Sequence, residues 1–493
     1  MSASDSAASS ASASRSSSGR RAAASPARPA TLGELRASDY RPRSVKQELR
    51  ANLMSRLAAE EPVFPGIVGF EDSVIPALEN AILAGQDIVF LGERGQAKTR
   101  LARLLVGLLD EAIPAVEGSD LREDPLAPIT PAIRARVALE ADATPIEWVP
   151  RDRRYGEKLA TPDITIADLI GEVDPIKVAE GRYLADESTI HFGLIPRSNR
   201  GIFTINELPD LAERIQVGLL NILEERDVQV RGYTLRLPLD LFVVASANPE
   251  DYTSRGRIIT PLKDRLGSQI RTHYPRTIEH EIQIMLQERT RFAAEDGPEI
   301  EEPDFMLQLV AELSHLARRA PEISQRSGVS VRVSIANLET LVASATKRAI
   351  RLGETSAAPR VSDLAALIPS TTGKIELESM SDEAPEERVV DRLLSRALHT
   401  VFARRVDLDD LDEVVEAFES GLVMETGELV PSREYVRWVR ETPGLPEAVS
   451  RLGVGESPAG VASAVEFLLE GLHLHRRLNK ERGLPGGGGV YRR

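Results

Sequence analysis

The sequence predicts an α/β protein: a mainly parallel sheet with helices on both faces, followed by two helical regions. Three observations carry this. Short apolar runs, Asp87-Ile-Val-Phe-Leu91, Ile146-Glu-Trp-Val149, Gly201-Ile-Phe-Thr-Ile205 and Leu241-Phe-Val-Val-Ala245, read as strands covered on both faces. Stretches with helical spacing alternate with them, at 74–86, 101–109 and 211–224, as parallel strands joined by crossover helices require. From about residue 276 the strand signals fade, and amphipathic helical patterns occupy 277–293, 303–319, 334–352 and then 388–480.

The elements follow in order. Residues 1–30 hold 11 Ser and 10 Ala with a single acid, Asp5, and no apolar run, so they are not a secretory signal. This composition buries too little surface to fold; it also matches an organelle transit peptide, and both readings stay open. Val74, Ile75, Leu78, Ala81 and Ile82 share a helix face that Gly85 closes. Asp227-Val-Gln-Val-Arg-Gly-Tyr-Thr-Leu-Arg-Leu237 alternates around Gly232 and predicts a β-hairpin inserted before the last of the buried strands. A polar, Pro-containing stretch at 354–387 reads as a linker, and Gly483–Gly489 reads as a flexible tail.

Composition narrows the function classes. The chain has 493 residues, enough for two or three domains. It carries 61 Lys+Arg against 76 Asp+Glu, a net charge of −15, which disfavours general binding to phosphate backbones. It has no Cys, hence no disulfide, no Cys-ligated zinc and no thiol chemistry; this suits a reducing compartment, and a cytoplasmic location is expected. No apolar run reaches the ~18 residues of a membrane span.

The chemistry concentrates behind the first strand. Gly92-Glu-Arg-Gly-Gln-Ala-Lys-Thr99 separates strand 87–91 from a Leu-rich helix, the setting of a phosphate-binding loop. Gly92, Glu93, Arg94, Gly95, Gln96 and Ala97 would turn backbone N–H groups onto a polyphosphate at the dipole-positive end of that helix. Lys98 would reach the β- and γ-phosphates, and the Thr99 hydroxyl would face Mg²⁺. Ala97 stands where Gly is usual; a methyl there is expected to be tolerated because the residue enters the helix with negative φ. Hydrolysis also needs a carboxylate at the tip of a neighbouring strand, and Glu207 ends the run 201–207. Asn206 before it would face the metal with a neutral oxygen in place of the customary Asp, which predicts weaker Mg²⁺ retention and slower turnover. Asn248 follows strand 241–245 and could orient the attacking water. Arg265 and Arg332 could meet charge that develops on the γ-phosphate.

Together, Gly92–Thr99, Ile205-Asn-Glu207, Asn248, Arg265 and Arg332 resemble the AAA+ ATPases, and within them the magnesium-chelatase ATPase subunit and its MoxR-like relatives. The segment His191–Leu211, the 227–237 hairpin and Ala247-Asn-Pro-Glu250 carry the closer likeness, with 160–196 as the family's insertion and Ile67-Val-Gly69 beside the adenine. The resemblance covers roughly 62–350. It implies a P-loop NTPase sheet followed by an α-helical lid, with ATP and Mg²⁺ as cofactors and ATP hydrolysis to ADP and phosphate as the activity. It also implies a ring, usually a homo-hexamer, in which Arg265 completes a neighbour's site, and a protein partner, in many relatives one with a von Willebrand A domain. The expected organisation is a disordered tail (1–31), a helical arm (32–61), the AAA+ α/β domain (62–275), the lid (276–353), a linker (354–387), a helical C-terminal region (388–480) and a flexible tail (481–493).

The alternatives differ in class. A sigma-54-type activator would need a Gly-Ala-Phe-Thr-Gly-Ala loop and a DNA-binding helix pair, and the sequence has neither. A helicase-like motor conflicts with the acidic balance. A nucleotide-sensing scaffold with little turnover is favoured by Asn206. Elsewhere, His473 and His475, two residues apart, do not share a helix face as metal ligands would. The acidic run Asp407–Glu413 lacks the Gly and terminal Glu of a calcium loop. Trp148 and Trp438 read as core residues.

Overall fold

The computed structural model describes residues 28–173, 190–224, 237–248, 257–291, 297–324, 328–378, 386–482 and 488–493. The hairpin expected at 227–237, up to its last residue Leu237, and residues 174–189 of the insertion expected at 160–196 lie outside these residues. Strands β1 (Ile88–Leu91), β2 (Tyr155–Leu159), β3 (Gly201–Asn206), β4 (Leu241–Ala247) and β5 (Ser268–Arg271) form one sheet in the order β2-β3-β4-β1-β5. Every pairing in it is parallel. β1, which feeds the Gly-rich turn, therefore lies between β4 and β5, and all the strand tips that carry candidate residues open on one edge.

Alternation along the strands supplies both faces. Ile88, Phe90, Ile202, Phe242, Val244 and Ile270 meet helices α1 (Val45–Ala58), α2 (Val74–Leu83) and α3 (Lys98–Leu104). Val89, Leu91, Phe203, Ile205, Val243 and Ala245 point the other way, onto α4 (Glu213–Glu224) and onto Ile164, Leu169, Ile170, Phe192 and Ile195. Burying both faces accounts for the near-continuous apolar runs that announced β1, β3 and β4. The sheet with its Gly-rich turn is that of a P-loop NTPase.

Two edge strands escape the sequence pattern. Tyr-Gly-Glu-Lys-Leu (β2) and Ser-Gln-Ile-Arg (β5) are mostly polar, because an edge strand leaves much of its surface to solvent. Conversely, Ile146–Pro150 is a strand but not of this sheet. It pairs antiparallel with Ala112–Val116 in a separate ribbon, and Nε1 of its half-buried Trp148 donates at 2.8 Å to the carbonyl of Pro29, a residue of the stretch expected to be a disordered tail. The arm is anchored from below: Arg154, fully buried, forms a two-pronged ion pair with Glu48 of α1 at 2.7 and 2.6 Å.

Behind the sheet, α5 (Ile278–Glu288), α6 (Asp304–Ala317) and α7 (Val331–Leu352) share one core with the C-terminal helices, including α8 (Glu386–Arg405) and α9 (Pro458–Leu474). Met285, Leu309, Leu341, Leu394, Phe402, Phe467 and Tyr491 belong to one apolar cluster. Two expectations change here. The stretch 354–387 is not a linker over its described part: Leu364, Leu367 and Ile375 are buried in that cluster, and a 3₁₀ turn at Val361–Ala366 runs into helix Leu367–Thr372. Its polar residues misled because Thr371 is satisfied by Asn337, and Asp363 by Ser344 and the Arg360 N–H. The tail at 481–493 ends in a strand, Gly489–Arg492, paired antiparallel with Asn479–Arg482 and pinned by the buried Tyr491. Trp438 packs half-buried against the same cluster.

Candidate functional site

The Gly-rich turn is held from three sides. A Cβ at Gly92 would fall 1.9 Å from Thr272 Oγ1, and one at Gly95 (φ 77) would fall 1.9 Å from Ser330 Oγ, so neither position admits a side chain. Gln96 Oε1 accepts from Thr272 Oγ1 (2.8 Å) and from Glu93 N (3.1 Å), tying the turn to the end of β5. Ala97 corrects the sequence reading: its backbone is left-handed, φ 54 and ψ 15. The turn must reverse just before α3 begins, and that conformation is the one glycine adopts without strain.

Lys98 is buried. Its ammonium donates to Gly92 O, to Glu93 O at 3.0 Å and to Asn248 Oδ1 at 2.6 Å. Asn248 passes the contact on, Nδ2 donating to Glu207 Oε2 at 2.7 Å. The first residue of α3 and residues from the tips of β3 and β4, separated by up to 150 positions in sequence, thus form one bonded chain. Glu207 itself has φ 55, which swings its carboxylate off the end of β3. Its N–H donates to Ser246 Oγ at 3.2 Å, fixing that turn to β4.

Beside this chain runs a second one. Asn206 is buried; Nδ2 donates to Glu157 Oε1 at 2.7 Å and Oδ1 accepts from Ser246 Oγ at 3.3 Å. Glu157 also accepts two hydrogen bonds from Arg103, at 2.9 and 3.1 Å, and one from Tyr155 at 3.2 Å. Partial burial raises the Glu157 pKa, but these donors outweigh it and hold the carboxyl below its ordinary value.

A cavity of about 760 Å³ lies between the sheet edge and the helices behind it, within the size range of small-molecule sites. Gln96, Lys98, Thr99 and Glu207 line it from the sheet side, Ile67 and Val68 from the loop before α2, and Arg332 from the first turn of α7. Asn206 and Asn248 stand behind these residues, not on the cavity wall. Arg265 is elsewhere: it ends helix Thr260–Arg265, with Nη1 donating to Pro261 O at 2.9 Å, and does not line this cavity.

The lid is wired to the turn by residues that the sequence reading missed. Tyr274 OH donates to Arg94 O at 3.0 Å, and the Arg318 guanidinium lies 4.5 Å from the Tyr274 ring centroid. Arg318 pairs with the fully buried Glu281 at 2.7 and 2.9 Å, and Glu281 accepts from Ser334, two residues after Arg332. Burial alone would raise the Glu281 pKa; the His315 ring 3.6 Å away, hydrogen bonds from Arg318 and Ser334 and the Arg318 charge bring it down to about 2. Arg103 had a signal, one turn after Thr99 on the same helix face. Glu157, Tyr274 and Glu281 had none, since long-range packing alone brings them here.

The weaker sequence signals lie far from this site. His473 and His475 turn Nδ1 toward the carbonyls of Leu478 and Gly471, and His475 stacks on His399 with centroids 4.4 Å apart. Asp407 accepts from Asp409 N at the start of a 3₁₀ turn, Leu408–Leu411.

No family model matches the chain. Over 117 residues it is 26% identical to the acetoin dehydrogenase operon transcriptional activator AcoR of Bacillus subtilis (strain 168), a match covering 23% of this chain and 19% of that protein. The chain therefore aligns with about a fifth of AcoR. Over 265 residues it is 26% identical to the uncharacterized protein YeaC of the same organism, covering 49% of this chain and 75% of that one. Among solved structures, it is similar to NtrX from Brucella abortus (16% identity, TM-score 0.38, 71% of this chain and 66% of NtrX). It is also similar to a chain of the BchI–BchD complex of magnesium chelatase (22% identity, TM-score 0.34, 68% of this chain and 100% of that one). The order β2-β3-β4-β1-β5 sets the strand that feeds the Gly-rich turn inside a five-stranded parallel sheet, with helices behind the cavity. Among the described residues no helix is long and apolar enough to cross a membrane.

Proposed function

We propose that this chain binds ATP with Mg²⁺ in the 760 Å³ cavity and hydrolyses it to ADP and phosphate, as a ring-forming AAA+ protein of the magnesium-chelatase/MoxR-like type that remodels a protein partner. One observation carries the reading: Lys98 and Glu207, joined through Asn248 behind them, line the cavity that Arg332 also lines. A cation for the β/γ-phosphates, an amide to orient water and a carboxylate to accept its proton are the parts that hydrolysis requires.

The residues fit a magnesium ion. Mg²⁺ favours a few oxygen donors completed by phosphate and water, and the cavity offers the Thr99 hydroxyl and the Glu207 carboxylate, with no cluster of three or more His, Asp or Glu that could hold a metal among the described residues. When bound, the ion would neutralise charge on the β- and γ-phosphates. The turn's N–H groups and the start of α3 would hold the phosphates. Glu207 would accept a proton from water as the water oxygen bonds to the γ-phosphorus and the bond to the leaving ADP oxygen breaks. Arg332 would stabilise the equatorial oxygens from the lid. Arg265, placed away from its own chain's cavity, would serve the site of a neighbouring subunit, as the AAA+ resemblance implies.

Turnover assays test this. Glu207→Gln should retain binding of a labelled ATP analogue and lose hydrolysis by about a hundredfold or more. Mixing Arg265→Ala with Glu207→Gln subunits should restore part of the activity, and no recovery in freely exchanging mixtures would sink the shared site. The neutral Asn206 favours a second reading, a scaffold that senses nucleotide with little turnover. Wild type no faster than Glu207→Gln would select it.

A further inference from the structure

At the end of β3 the usual metal-facing carboxylate is replaced by the neutral Asn206, yet a carboxylate is still present there. Asn206 Nδ2 lies 2.7 Å from Glu157 Oε1. Glu157 comes from β2, in register with Thr204, so it and Asn206 are presented on one sheet face, the face that α3 covers. Thr99 and Arg103 are one turn apart on α3, and both line the cavity. Arg103 holds Glu157 with two hydrogen bonds, although its own side chain is 64% exposed while that of Glu157 is 22% exposed. An exposed surface pair is usually worth little and has no need of a third or fourth partner; this carboxylate also takes Tyr155 and Asn206. The Asn206 amide, for its part, is turned so that its donor side meets the anion and its acceptor side meets Ser246.

We infer that Glu157 supplies, from the neighbouring strand, the anionic charge that Asn206 lacks, and that Arg103 is its exchangeable counter-ion. This rests on the nucleotide-site reading above. Glu157 is a positioning residue: its charge acts through Asn206 and through the field beside Thr99. In the metal-free protein Arg103 neutralises it. A divalent cation arriving with nucleotide competes with the guanidinium for the same negative field, so the two variants of this ion pair should shift metal dependence in opposite directions.

The test titrates Mg²⁺ into the full chain with a fluorescent ATP analogue, and Mn²⁺ followed by its paramagnetic resonance signal. The factor by which Mg²⁺ tightens nucleotide binding should fall about tenfold in Glu157→Gln, as expected for one charge acting at short range in a partly screened site. Asn206→Asp added to Glu157→Gln should restore it. Arg103→Gln should lower the half-saturating Mg²⁺ concentration below that of wild type. If the pair is only structural, both single variants will lose thermal stability alike while their Mg²⁺ titrations overlay wild type, and the inference is overturned. Nucleotide binding that survives Lys98→Ala would instead overturn the site reading itself. Lys98-dependent binding with an unchanged Mg²⁺ response in Glu157→Gln removes only the role given to Glu157.

Discussion

Two buried polar networks can be compared, one under the Gly-rich turn and one where the lid meets the C-terminal helices. The first, Lys98–Asn248–Glu207 with Asn206–Glu157–Arg103, borders a cavity, uses left-handed backbone at Ala97 and Glu207, and ends in partly exposed groups. The second is closed. Arg348 pairs with Asp363 at 2.9 Å, and both side chains are fully buried. Arg360 donates to Ser432 Oγ (2.6 Å) and Val430 O (2.9 Å) and lies 4.7 Å from the Tyr435 ring centroid. Tyr435 OH donates to Glu466, whose other oxygen accepts from Ser362 N at 2.8 Å. Burial and the nearby Glu466 push the Tyr435 phenol well up, so it stays a donor. The lesson is that buried charge serves two purposes here. Beside the cavity it is arranged to exchange partners; in the helical half it fixes how segments far apart in sequence meet.

The comparison can be broken most severely at Asp363. Asp363→Ala strands the Arg348 guanidinium in the core and should cost about 3–5 kcal/mol, seen as a lower denaturant midpoint. Nucleotide affinity, measured where the variant is folded, should stay at the wild-type value. Lys98→Ala is the mirror experiment. It should weaken binding of a labelled ATP analogue by about a hundredfold, the order expected on losing a charge-assisted contact, with a melting temperature close to wild type. A variant at either site that moves both readouts equally would merge the two networks into one.

Glu281 links the halves and adds a pH dependence. Its folded pKa, about 2, lies below the ordinary 4.5, so its contribution is present above about 4.5 and is lost as pH falls toward 2. Glu281→Gln should flatten stability over that window by an amount of the order of 2–3 kcal/mol, read from denaturant midpoints at a series of pH values. An unchanged acid profile would show that Arg318 and Ser334 do not stabilise the carboxylate. The smallest effect belongs to Ala97→Gly. Releasing the methyl from left-handed backbone should raise stability by up to about 1 kcal/mol, offset in part by glycine's freedom in the unfolded chain, with little change in nucleotide affinity.

By itself the sequence determined the strands that bury both faces, the Gly-rich turn, and the tip residues Glu207 and Asn248. Apolar runs, glycines and local spacing are properties of contiguous residues, and the physics that reads them is local. The helices of the lid were legible for the same reason. Tertiary structure alone decided the rest. The polar edge strands at 155–159 and 268–271 exist because a neighbour offers hydrogen bonds, not because their side chains demand burial. The segment 356–378 folds because Asn337, Ser344 and Glu466 satisfy its polar groups from other elements. Glu157 reaches Asn206 across 49 residues, and Asn248 reaches Lys98 across 150. A hydrogen bond has no preference for sequence separation once the chain is folded, so such partners leave no periodic trace. They appear only when the sheet order brings their strands side by side.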